Sequence, residues 1–192
     1  FCFAPQFHPA LRHIAGVRRQ LGVPTIFNCL GPLANPAGAR RQLIGVGRVD
    51  LLDCIAGAIA ELGTDHALVV CSREGLDEVS LSSSTMVREV RGSDVRSLEW
   101  TRADFGLENC TLGELSAPHA QASAAMIEEV LTGNAGPALR VVLANAAAAL
   151  LAAERVETPL EGVALARQAI LSGRARSVLE ALRRLGQEFS SA

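Results

Sequence analysis

Two hydrophobic periods alternate along the 192 residues. From Gln42 to Gly47 (QLIGVG) and again from Ala67 to Cys71 (ALVVC) the chain is apolar almost throughout, the pattern of strands covered on both faces. Between them, Asp50 to Leu62 repeats at helical spacing, with Asp50 placed to cap the start and Gly63 to stop the end. Strand, helix and strand in so short a stretch predict a parallel βαβ unit with a right-handed crossover. TMVREV and RSLEW, on either side of Arg91-Gly92-Ser93, predict two short, half-exposed strands. Four helices follow, at roughly Pro118 to Leu131, Pro137 to Ala153, Pro159 to Leu171 and Ala175 to Gln187, with Gly133 and Gly173 as stops. The alanine-rich stretch NAAAALLAA suits close helix packing. The pattern as a whole predicts one α/β domain, a parallel sheet flanked by helices with a helical C-terminal layer.

Before the first strand, His8 to Leu21 (HPALRHIAGVRRQL) predicts a helix capped by His8, with Pro9 in its first turn and Gly22 beyond its end. Leu11, Ile14 and Leu21 form its apolar stripe, and Arg18, two turns on from Leu11, falls on the same stripe. From Thr25 to Pro36, TIFNCLGPLANP carries the turn signals Gly31-Pro32 and Asn35-Pro36 and too much proline for regular structure.

With 49% hydrophobic residues and a net charge of -2, the chain has the composition of a domain with one full core. No apolar run approaches the roughly 18 to 20 residues of a membrane span, and no basic region precedes a cleavable apolar segment, so a cytosolic setting is expected. Five cysteines, scattered and without a C-x-x-C pair, point to neither zinc nor a disulfide framework. Every one of the 18 basic residues is arginine. Any anion held by a side-chain cation is therefore held by a guanidinium. The arginines are dispersed and offset by 20 acids, which argues against a nucleic-acid partner.

Gly75-Leu76-Asp77-Glu78 follows the carboxyl end of ALVVC, where open parallel sheets bind ligands. On a loop, adjacent carboxylates can converge on one hard cation, and a few protein oxygens in an otherwise hydrated shell is how magnesium serves a phosphorylated substrate. The alternative is a solvated pair in which Asp77 caps a turn. Arg18, a charge on a buried stripe, needs a counter-ion, either a protein carboxylate or an anionic ligand. His8 is a helix cap or a ligand contact, and the Gly-Pro and Asn-Pro turns could present Asn28 to a flat ligand. IGVG copies only part of a dinucleotide fingerprint, without its third glycine or its acidic partner.

In order along the chain, FAPQFHPALRHIAGVRRQLGVPTIFNCLGPLANPAG, QLIGVG, GLDEVS, the DFGL at Asp104 to Leu107, and NAAAAL resemble the anthranilate phosphoribosyltransferase family. The resemblance implies a catalytic domain of the nucleoside phosphorylase and phosphoribosyltransferase type. It implies transfer of a phosphoribosyl group from 5-phosphoribosyl 1-diphosphate to anthranilate, with Mg²⁺, in tryptophan biosynthesis. By the same resemblance Asp77 and Glu78 hold magnesium, Arg18 binds anthranilate, and His8 and Pro32 line the anthranilate channel. No protein nucleophile is implied, and full-length members are expected to be homodimers.

The family's glycine-rich diphosphate loop, its Lys-His-Gly-Asn segment and its N-terminal helical domain would lie upstream of Phe1. The resemblance therefore implies an incomplete portion, inactive alone. Within the matched region Pro24 stands where an arginine is common, and Cys71-Ser72 where His-Gly is usual. A non-catalytic relative binding an anionic ligand or nucleic acid, and a nucleoside phosphorylase, are the competing expectations.

Overall fold

The computed structural model describes residues 27–190 together with Phe7, Gly16, Gln20 and Gly22. His8 and Arg18 lie outside the described residues, and Pro32 is described by its backbone alone. A four-stranded sheet in the order β1-β2-β3-β4 is built from Arg41–Gly45, His66–Ser72, Thr85–Arg91 and Asp94–Trp100. β1 and β2 are parallel, aligning Leu43 with Leu68 and Gly45 with Val70. They are joined through helix α2 (Leu52–Glu61), as the βαβ pattern predicts. β2, β3 and β4 then run antiparallel, so the sheet is mixed rather than wholly parallel. The reason is local: Arg91 pairs with Asp94 across the two residues Gly92 and Ser93, too short a connection for anything but a hairpin. Gly92 takes a positive φ of 57° there, which suits a residue without a β-carbon.

β2 is buried along its whole length, and its side chains divide by the period of two. Ala67, Val69 and Cys71 pack with Leu52, Ile55, Ala56 and Ile59 of α2 on one face. Leu68 and Val70 pack with Val87 and Ala152 on the other. That second face continues into a helical layer of α3 (Ala120–Val130), α4 (Pro137–Ala152) and α5 (Pro159–Leu171), followed by α6 (Arg174–Ser190). Phe105 of the DFGL segment is fully buried in this layer, with Trp100 edge-on at 5.6 Å between ring centroids.

Three local expectations are corrected. The proline-rich segment contains a helix, α1 (Phe27–Leu33), with Pro32 inside it. Cys29 and Leu33 pack against the core beside α2, and that burial outweighs the missing proline N–H. Asp50 does not cap α2: it lies in a 3₁₀ turn (Val49–Leu51) and pairs with Arg48, and α2 has no side-chain cap. α3 begins after His119, whose Nδ1 accepts the Ala122 N–H at 3.1 Å, rather than at Pro118.

Many of the arginines are spent on the protein's own acids. Arg40 meets Asp65 at 2.6 Å, Arg73 meets Glu99 at 3.0 Å, and Arg91 meets Glu89 and Glu154 at 2.9 and 2.8 Å. Among the described residues no helix is long and apolar enough to cross a membrane.

α4 and α5 pack closely at one glycine. A β-carbon on Gly162 would fall 2.7 Å from the Ala147 Cβ and 2.8 Å from its Cα, so the two backbones approach because neither residue carries a larger side chain. Gly162→Ala is expected to destabilise the fold by about 1–3 kcal/mol through overpacking. Denaturant unfolding measures it, and an unchanged midpoint would contradict the packing described.

Candidate metal and substrate site

Ser72 ends β2 and turns the chain back on itself. Its carbonyl accepts the Gly75 N–H at 3.0 Å, its N–H donates to the Leu76 carbonyl at 2.9 Å, and its hydroxyl accepts the Leu76 N–H at 2.9 Å. Gly75 sits at φ 86°, a conformation that few other residues adopt. The Ser72 hydroxyl gives this turn a bond that a glycine at the same position could not supply.

The returning loop lies across the carboxyl end of β1. A β-carbon on Gly45 would be 1.7 Å from the Asp77 carbonyl oxygen and 2.7 Å from its carbon, so the crossing requires glycine. Gly47 and Gly75 approach to ordinary contact alongside it. The glycines of IGVG thus make room for the acidic loop, which is why only part of a dinucleotide fingerprint is present.

Beyond Glu78 the chain is fixed again. Val79 is buried, and Asn145 of α4 accepts its N–H at 2.8 Å and donates to its carbonyl at 3.1 Å. The hydroxyl string that follows folds onto two carboxylates. Ser80 and Ser82 both donate to Glu74 Oε1 at 2.5 Å, and Ser84 donates to Glu99 at 2.5 Å. Ser80 N–H in turn donates to the Thr85 hydroxyl at 2.9 Å.

Asp77 and Glu78 are treated differently from these structural acids. Both are exposed, and neither has a hydrogen-bond donor or a cation as partner among the described residues. Although the Glu78 side chain reaches solvent, the protein around it removes part of its water, and that desolvation, then the neighbouring Asp77 charge, push its carboxyl above the ordinary range. Burial also raises the Cys71 thiol, with the charges of Asp77 and Asp50 adding to it. Asp50 is paired with Arg48, whereas Asp77 and Glu78 meet no described arginine.

No group of three or more histidine, cysteine or acidic side chains able to hold a metal occurs among the described residues. Two exposed carboxylates suit a different kind of site, that of a magnesium ion which keeps most of its water and shares a substrate's phosphates. Their oxygens are hard donors with no cation competing for them among the described residues, so the donor set fits such an ion.

The family model described as glycosyl transferase family, a/b domain, matches residues 1–176. The chain belongs to that family. It is 48% identical over 195 aligned residues to the anthranilate phosphoribosyltransferase of Thermomicrobium roseum, covering 100% of this chain and 56% of that one. Its fold matches the crystal structure of anthranilate phosphoribosyltransferase from Thermus thermophilus with a TM-score of 0.84 and 39% identity, over 94% of this chain and 54% of the other. The Saccharomyces cerevisiae enzyme, solved with PRPP and Mg, matches with a TM-score of 0.84 at 29% identity over 92% of this chain and 51% of the other. The same yeast enzyme has been solved with 4-fluoroanthranilate. The chain thus spans about half the length of the relatives it matches.

Sequence reasoning located the acidic pair but missed its supports. Gly45 could have been found by asking why a buried strand ends in glycine. Asn145 carried a weaker signal, a lone amide in a helix that is apolar apart from Arg140.

The crossing at Gly45 is directly testable. Gly45→Ala is expected to displace the loop and speed hydrogen exchange at the Ser72 and Leu76 amides, while Val69 within β2 keeps its protection. Unchanged exchange at Leu76 would show that the loop does not depend on this contact.

Proposed function

We propose that these residues form part of an anthranilate phosphoribosyltransferase acting in tryptophan biosynthesis. In it, a phosphoribosyl group passes from 5-phosphoribosyl 1-diphosphate to anthranilate. The observation that carries the proposal is the acidic pair, held by backbone contacts at the carboxyl end of a parallel strand pair and left without a hydrogen-bond or ion-pair partner among the described residues. The kinship of the chain supports it. A non-catalytic relative has no observation in its favour.

In this reading Asp77 and Glu78 would hold Mg²⁺. A bound magnesium ion would supply charge stabilisation to the departing diphosphate. Asp77 and Glu78 fix where that charge can be met, because their loop is anchored on both sides. Arg18 would grip the anthranilate carboxylate with two hydrogen bonds from its planar guanidinium, and His8 and Pro32 would line the channel by which anthranilate enters. None of these groups forms a covalent bond to the sugar, so the protein's contribution is positioning and electrostatics. The glycine-rich loop that the resemblance assigns to the diphosphate is not among these 192 residues, and turnover would require it. A homodimer is proposed for the full-length protein.

Two substitutions test the roles in a polypeptide spanning the full length of the relatives. Asp77→Asn is expected to raise the magnesium concentration needed for half-maximal rate by roughly tenfold or more, since losing even an outer-sphere partner of a metal commonly costs roughly 10–100-fold. An unchanged requirement would remove Asp77 from metal binding. Arg18→Ala is expected to raise the KM for anthranilate well above any change in the KM for 5-phosphoribosyl 1-diphosphate. Equal effects on the two would place Arg18 in the scaffold instead.

A further inference from the structure

Asn145 stands in the middle of α4, 66 positions from the residue it binds. Its amide treats Val79 as a neighbouring strand would: Oδ1 accepts the Val79 N–H at 2.8 Å and Nδ2 donates to the Val79 carbonyl at 3.1 Å. The second Nδ2 hydrogen goes to the Val141 carbonyl, one turn back on the same helix, also at 3.1 Å. This set of partners fixes the amide in one orientation, because a flipped amide would set its N–H₂ against the Val79 N–H. Val79 is 1% exposed, so water cannot stand in for these bonds.

Val79 directly follows Glu78. The acidic pair is therefore strung between two fixed points, Ser72 with its turn on the upstream side and Asn145 on the downstream side. The upstream point belongs to the sheet; the downstream one belongs to the helical layer. Between them the crossing at Gly45 limits the backbone.

We infer that Asn145 is the positioning residue that sets the direction of the Asp77 and Glu78 carboxylates toward a shared cation. The inference rests on the metal role proposed above. Asn145 itself touches neither carboxylate; it acts by holding the backbone from which Glu78 projects.

The test uses the full chain, with Mn²⁺ as the probe and its affinity read by electron paramagnetic resonance in the absence of substrates. Asn145→Ala is expected to weaken Mn²⁺ binding about tenfold, the lower end of what metal sites lose with an outer-sphere partner. It is also expected to accelerate amide exchange at Val79 ahead of Val69 and Val70. Leu143→Ala, a fully buried position on the same helix, serves as control, since it loosens the core cluster to which Val79 belongs while leaving both Asn145 bonds to Val79 in place. The inference is overturned if Asn145→Ala leaves Mn²⁺ affinity unchanged, or if Leu143→Ala lowers it as much.

Asn145→Asp provides a second variant should the alanine form fail to fold. It keeps an acceptor for the Val79 N–H, loses both donors, and adds a negative charge to the region. Charge alone would tighten Mn²⁺ binding, whereas loss of position weakens it. Weaker binding supports the inference, and equal or tighter binding overturns it. Asp77→Asn, run alongside, separates the two claims. If Asp77→Asn abolishes Mn²⁺ binding while the Asn145 variants retain it, the positioning role alone fails. If Asp77→Asn binds as tightly as the unmodified chain, the metal role itself fails and the positioning role with it.

Discussion

The site depends on a close crossing of two backbones, the Asp77 carbonyl lying where a β-carbon on Gly45 would have to be. A loop free to swing would let adjacent like charges separate into solvent. Here they are kept at the end of β1, and the burial and mutual repulsion that raise the Glu78 carboxyl follow from it. For a carboxylate, a raised folded value means that folding disfavours its charged form above that value. The scaffold thus holds an electrostatic tension that a cation would relieve and that protons relieve as the pH falls.

The rest of the architecture surrounds that crossing. Parallel pairing of β1 and β2 brings two carboxyl ends to one edge, and α2 closes one face beneath them. On the opposite face α4 supplies Leu139, Leu143 and Ala147 to the core and Asn145 to the loop. The serine string acts as a hydrogen-bonded brace, its hydroxyls donating to Glu74 and Glu99. Acids on this side of the molecule therefore divide by environment: those facing hydroxyls or arginines are structural, and Asp77 and Glu78, which face neither among the described residues, stand apart.

Elements whose reasons are local were legible in the sequence: the βαβ unit, the hairpin at Gly92 and the C-terminal helices each carry their own period and stops. The place of the acidic pair was legible because strand ends and glycine mark it. Tertiary packing hid the rest. α1 runs across Gly31-Pro32 because Cys29 and Leu33 find a core to bury in, which no turn rule contains. Asp50 has the type and place of a helix cap, yet Arg48, two residues away, holds it instead. The bond from Asn145 to Val79 joins distant segments, and nothing near either residue announces it. His8 and Arg18 fall outside the described residues, so their roles rest on the resemblance.

The seam between Gly162 and Ala147 has a mechanical consequence. Ala147 is two positions from Asn145, so the helix that steadies the acidic loop is itself clamped by α5. Where Gly162 meets Ala147 nothing larger than a methyl group separates the two backbones, so a bulkier residue at either position would push α4 away from α5 and carry with it the amide that holds the acidic loop.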